Sequence, residues 1–156
     1  MATDLMTDRG AYIVFTVAGT TYGLPSGHVR HMEMVDEVTR VPNAPGFVDG
    51  VVFSRGEVVP IVNLRARFGF ERTPYDIKSR LVVVSADGRQ VGLLADSARE
   101  FVRIPADAVQ PPSEALAGMS GRYVEAIASF GDRLILILNL ERVLNFTEAL
   151  PAGPAA

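Results

Sequence analysis

Gly50-Val51-Val52-Phe53-Ser54-Arg55-Gly56-Glu57-Val58-Val59-Pro60-Ile61-Val62-Asn63-Leu64-Arg65 decides how the chain is read. Two apolar, β-branched runs flank a Ser54-Arg55-Gly56 tip, the pattern of a β-hairpin that carries a cation at its turn. Pro60 sits inside the second run without an N–H to give a ladder, so it marks an edge strand or a bulge. No side chain in the stretch is placed as a nucleophile or a general base. The stretch reads as a surface for another protein rather than a reaction centre.

The same pattern extends outward. Ile13, Phe15 and Val17 alternate with Tyr12, Val14 and Thr16, which predicts a half-buried strand. A turn at Ala18-Gly19-Thr20 leads into a second strand ending at Leu24, and Pro25-Ser26-Gly27 stops it. His28 to Met34 fits a helical turn and a strand start equally. Val38 to Val41 reads as a short extended piece, and Phe47-Val48-Asp49 as a helical turn before Gly50. Asn63 is placed to cap a short helix over Leu64 to Phe68, with Gly69 as its stop. The polar run over 70–79 is the candidate boundary between two lobes. Asp87-Gly88 and Gly131-Asp132 each join two apolar runs, as hairpin turns do. Ser97 to Glu100 resembles a capping box, but Phe101 to Ile104 alternates, and strand is the better reading. Pro105 to Arg122 reads as a long loop with one helical turn at Ser113 to Ala117. Asn139 caps a last helix, Leu140 to Phe146. Residues 1–10 and 148–156 read as disordered ends around one domain over 11–147.

About ten short strands with regular turn signals indicate a β-barrel or a β-sandwich. The halves also rhyme: Pro60-Ile61-Val62-Asn63-Leu64 and Ile135-Leu136-Ile137-Leu138-Asn139-Leu140 each end a hairpin and open a short helix. That suggests two related lobes.

At 156 residues with 48% hydrophobic and 21% charged residues, the chain has enough apolar material for a packed core. A net charge of -3 argues against a general nucleic-acid binder. The absence of cysteine removes disulfides, thiolate catalysis and cysteine-held metals. No apolar window approaches the ~18 residues of a membrane span. Phosphate-binding glycine loops and a nucleophile elbow are missing. His28, His31 and Glu33 form the one metal-like grouping, and without a further ligand it is weak. Asp87, Asp96, Asp132 and Glu57 lie near predicted turns or strand ends, and turn chemistry accounts for Asp87 and Asp132. Arg55 reads either as a solvated tip charge or as a fork donor for a partner carboxylate. Phe53 reads either as core or as an exposed aromatic anchor. Lys78 is the only lysine, and arginine is the cation that interfaces favour.

Taken together, Tyr22-Gly23-Leu24, Met32-Glu33-Met34-Val35, Val41-Pro42-Asn43-Ala44-Pro45, the opening hairpin, Val91-Gly92-Leu93-Leu94-Ala95-Asp96 and Leu134-Ile135-Leu136-Ile137-Leu138-Asn139-Leu140 resemble the CheW-type coupling proteins of bacterial chemotaxis. The resemblance runs from about Tyr12 to Leu144. It implies a mainly β fold of two small five-stranded SH3-like β-barrels with short helices. It implies a non-enzymatic adaptor without cofactor or bound metal, cytoplasmic and held at a membrane-associated receptor array. Its partners would be the CheW-like regulatory domain of a histidine kinase, paired barrel to barrel, and a chemoreceptor's helical tip in the groove between the lobes. By position, His31, Glu33, Gly50, Phe53, Arg55 and Asp96 are the expected partner-binding residues. The chain departs from the family where Phe53-Ser54 replaces Asn-Leu before the arginine, and where Asn63 and Asn139 replace aspartates. A chemosensory pathway outside chemotaxis, serving pilus motility or development, fits the same residues. A small-ligand or metal-binding barrel using His28, His31 and Glu33 is the remaining alternative.

Overall fold

The computed structural model describes residues 10–112 and 120–145. The expectations for the two chain ends and for a turn at Ser113 to Ala117 lie outside them, Gly10 apart. The fold is mainly β, in two sheets. A six-stranded sheet has the order β8-β1-β2-β11-β10-β9, and a five-stranded sheet the order β3-β6-β7-β5-β4. In chain order the strands are β1 (Ala11–Val17), β2 (Thr20–Pro25), β3 (Val29–Met34), β4 (Val48–Ser54), β5 (Glu57–Asn63), β6 (Arg80–Ala86), β7 (Arg89–Ala95), β8 (Ser97–Arg103), β9 (Val109–Gln110), β10 (Val124–Phe130) and β11 (Arg133–Leu138). Two short helices follow β5 and β11: α1 (Leu64–Arg67) and α2 (Leu140–Val143).

Local chemistry explains the hairpins. The two-residue turns Ala18-Gly19, Arg55-Gly56 and Asp87-Gly88 have positive φ at both positions. That is the signature of the turn whose twist matches paired strands. Asn63 and Asn139 cap α1 and α2 as expected, accepting from the backbone N–H of Ala66 and Arg142. Each asparagine also donates to a carboxylate across 14 residues, Asp49 or Glu125. Its own N–H bonds the carbonyl of Phe47 or Tyr123. The two halves thus repeat in hydrogen bonds as well as in sequence.

The repeats are interleaved. β6 and β7 of the second half sit between β3 and β5 of the first, and β1 and β2 sit between β8 and β11. The exchange creates parallel ladders, β5 with β7 and β2 with β11. The chain therefore crosses between sheets after β2 and after β7. The segment 70–79 divides the two halves of the chain and leads from α1, which follows β5, to β6 of the same five-stranded sheet. It is also pinned: Arg72 and Tyr75 both donate to the Asp49 carboxylate. Burial, and then that hydrogen bond, push the Tyr75 phenol well above its usual range.

Other expectations need correcting. Val14 is fully buried, so β1 buries both faces. His28 to Met34 forms a 3-10 turn and then β3, because alternation wins over helix spacing. Phe47 to Asp49 is not a helical turn, since β4 begins at Val48. Pro60 lies in an interior strand, tolerated because the parallel ladder to β7 starts one residue later, at Ile61. Ser54 ends β4 and is buried, leaving Arg55 and Gly56 alone as the tip. Pro105 to Arg122 is not loop throughout, since it holds β9. No ladder closes either sheet into a barrel among the described residues.

One shared core lies between the sheets and takes Ile13, Phe15, Val17, Tyr22 and Leu24 from one side and Val62, Val82, Val84 and Leu93 from the other. Each sheet buries a smaller cluster on its second face, around Val14 and Ile135 or around Ile61 and Leu81. Through the shared core run neighbouring rings, Phe15 to Tyr22 to Phe68 to Tyr123. At its end Arg67 is 6% exposed. Its guanidinium lies 4.5 Å from the Phe47 ring centre and 4.9 Å from that of Tyr123. It donates to the carbonyls of Arg142, Val143 and Asn145 at the end of α2.

A second tie sits where the chain crosses from β7 to β8. Asp96 accepts from Arg65 Nη2 at 2.7 Å, from Arg65 Nε at 2.9 Å and from the Ala18 N–H at 2.8 Å. Burial pushes this carboxyl up, but the hydrogen bonds from Arg65 and Ala18 and the Arg65 charge outweigh it. The group titrates below its usual range. Its folded pKa is below its unfolded one, so its stabilisation is complete above the unfolded value and is lost as pH falls through the folded one.

Arg67→Lys is expected to lower stability by about 2–3 kcal/mol, because an ammonium does not reproduce a planar fork between two rings. Urea unfolding with an unchanged slope measures it. Asp96→Asn is expected to cost about 1–2 kcal/mol at neutral pH. That gap to the wild type should narrow as pH falls through and below the ordinary carboxylate range. A gap independent of pH would remove the charge from the explanation.

Candidate functional site

The positions expected to bind partners do not form one cluster. His31 and Glu33 lie two residues apart on β3, so both point to the same face. Ser54 reaches them from β4, on the opposite edge of the five-stranded sheet. Its hydroxyl donates to Glu33 Oε1 at 3.2 Å and lies 3.5 Å from His31 Nε2. The His31 and Glu33 side chains are 3.5 Å apart. Thr39 and Val51 exchange backbone bonds of 2.9 and 2.8 Å just beyond β3. The two edges therefore meet through side chains and one isolated bridge rather than through a continuous ladder.

The Ser54 contacts hold the turn end of the β4–β5 hairpin. Phe53 and Val58 face each other across it and stand 75% and 63% exposed. Phe53 is thus an exposed aromatic and not core. Arg55 projects from the tip in the left-handed region, at φ 49°. It makes no hydrogen bond or ion pair among the described residues. Met34, on the outer face of β3, is 56% exposed. Met34, Phe53 and Val58 line a groove of about 480 Å³ together with Glu33, Asp36 and Glu37.

Gly50 and Asp96 act elsewhere. Gly50 is buried at φ 144°, and a Cβ there would stand 2.2 Å from the Thr39 carbonyl oxygen. It lets the backbone after β3 close on β4. Asp96 is engaged with Arg65 and Ala18 at the crossing between sheets. His28 ends the 3-10 turn and His31 is on β3, so no helix carries the two. No group of three or more His, Cys, Asp or Glu suited to a metal ion occurs among the described residues.

A larger cleft, about 1080 Å³, opens between the two sheets. Val58, Pro60 and the Asp87-Gly88-Arg89 turn line one wall. Pro25, Glu125, Leu138 and α2 with the residues just after it line the other. Sequence reasoning named none of these as binding positions, since the cleft exists only once the repeats interleave. Val58 lines both the cleft and the smaller groove. No helix among the described residues is long and apolar enough to cross a membrane.

The two concavities offer shape, apolar surface and fixed charge. The comparisons with known proteins agree with that description. The Chemotaxis protein CheW of Klebsiella aerogenes is 28% identical over 137 residues, covering 88% of this chain and 82% of its own. Protein FrzA of Myxococcus xanthus is 28% identical over 134 residues, covering 85% and 84%. The crystal structure of the scaffolding protein TtCheW from Thermoanaerobacter tengcongensis superposes with a TM-score of 0.80 at 28% identity, covering 87% of this chain and 92% of that one. The model of the CheW-like domain matches residues 11–148, and the chain belongs to that family.

Proposed function

We propose that the chain is a non-enzymatic adaptor that holds two partners at once in a chemosensory signalling array. The CheW-like regulatory domain of a histidine kinase docks on the β4–β5 hairpin, with Phe53 as anchor, Arg55 as fork donor, and His31 and Glu33 beside them. The helical tip of a chemoreceptor lies in the cleft between the sheets. The observation that carries this reading is the pair of separate concavities sharing one ridge at Val58. Two partners seated there are close enough to sense each other.

The chemistry asked of an adaptor is modest. A standard interface takes about 800 Å² from each side. An exposed aromatic beside an arginine is the composition that supplies most of the energy in such contacts. Signalling needs only that the receptor's two states meet the cleft differently, so that one geometry at the hairpin is favoured. No cofactor enters. Each sheet is read as one SH3-like barrel, supported in the five-stranded sheet by the contacts of Ser54 and Thr39 that join its edges. The shared core supports reading 11–147 as one domain. The array places the protein in the cytoplasm, beside the membrane and not in it. The same surfaces serve a CheW-like scaffold of another chemosensory pathway, and the swarming of a deletion strain separates the two settings.

Capture assays with the kinase regulatory domain and a receptor-tip fragment test the reading. Phe53→Ala is expected to weaken kinase capture by about tenfold or more and to leave receptor capture unchanged. Val58→Asp is expected to impair both. Capture of neither partner by the wild-type protein, under conditions where a known adaptor captures both, would sink the reading. Gly50→Ala serves as a contrast: it should lower stability by about 3 kcal/mol through the Thr39 clash. Gly56→Asn, in open space at the turn, should change stability by less than about 1 kcal/mol.

A further inference from the structure

The groove beside the hairpin carries a charge pattern that selects its occupant. Glu33, Asp36 and Glu37 line it, and none of its lining residues is a lysine or an arginine. Asp36 and Glu37 make no hydrogen bond or ion pair among the described residues. Glu33 is bonded through Oε1 alone, to Ser54 and beside His31. The floor and far wall are apolar, with Met34, Phe53 and Val58 all more than half exposed. A partner that covers this apolar surface strips water from the acidic rim as well. Carboxylates desolvated without a counter-charge are costly, so the occupant must bring cations.

Resting on the proposed docking of a kinase domain at this hairpin, we propose that the groove is charge-selective: it takes a partner face whose apolar anchor is flanked by arginine or lysine, and which meets Arg55 with a carboxylate. A second copy of this chain does not fit. Pairing the face with itself sets Glu33, Asp36 and Glu37 against the same three residues, with one Arg55 from each copy to offset them. Opposed potentials across an interface steer encounter and reject wrong partners, while like charges repel.

The test titrates the full-length protein with the regulatory domain of its source cell's histidine kinase across a salt series. Wild-type affinity is expected to fall as salt rises. The exposed double variant Asp36→Lys/Glu37→Lys should bind about tenfold more weakly or worse at low salt, with the salt dependence flattened or reversed. Phe53→Ala should bind weakly yet keep the wild-type salt dependence. Melting curves confirm that each variant folds. Salt-independent wild-type binding, or a double variant that binds as well as wild type, overturns the proposal and leaves the adaptor reading standing. A wild-type dimer in sedimentation that Phe53→Ala abolishes assigns the face to a second copy and also overturns it. No kinase binding at any salt removes the adaptor reading and this proposal together.

Discussion

Arg67 sets the geometry on which the cleft between the sheets depends. A guanidinium has no neutral form to retreat to at ordinary pH, so burying it requires that its donors be satisfied. The three carbonyls that do so belong to the end of α2, while Arg67 itself belongs to α1. The rings on its two faces, Phe47 and Tyr123, occupy matching places in the two halves. The backbone carbonyls of Phe47 and Tyr123 accept the N–H of the matching helix-capping asparagines, Asn63 and Asn139. One side chain therefore fixes how far apart the two helices stand. Since α2 lines the cleft, it also holds one wall of the proposed receptor site.

Interleaving makes the arrangement cooperative. Neither half holds a complete sheet of its own, because each lends its first hairpin to the other. Shifting β2 against β11 by one residue would turn Tyr22 and Leu24 away from the shared core. Gly92 narrows the choice further, since a Cβ there would press on the Leu81 side chain at 2.8 Å. A close-packed core has little give, so the two sheets are held rigidly against each other.

What the sequence showed of this fold was its local chemistry. Asp87-Gly88 announced a turn because few residues accept positive φ, and Asn63 announced a helix start through its capping oxygen. Pairing at a distance leaves no such mark. Nothing in the spacing of β5 and β7 indicates that they run parallel, and Val14 cannot show which sheet face covers it. The site was legible to the same extent. Arg55 and Phe53 stand out because a cation and an aromatic beside a turn are conspicuous. Gly50 also stands out, but for a backbone reason that only Thr39 reveals. Asp36 and Glu37 look like ordinary surface charges until Met34 and Phe53 come up beside them, and Val58 looks like any strand valine until its exposure is seen.

The duplication also explains why the two lobes are not interchangeable. Phe53 and Val58 pair across the first hairpin, while the corresponding cross-strand pair of the second is Ser129 and Leu134. The repeats thus share a hairpin and a capped helix, yet the second hairpin has no aromatic at that place and a Gly-Asp turn instead of Arg-Gly. Hydrogen bonds to capping asparagines are what the fold requires of both halves, and they are kept in both. Exposed side chains at the hairpin turns are not held by those bonds, and there the halves have parted. The second hairpin has its own aromatic beside an arginine, Phe130 with Arg133 over its ring at 5.6 Å, but it flanks the turn directly and is half-buried. The two hairpins therefore present different surfaces on a shared frame.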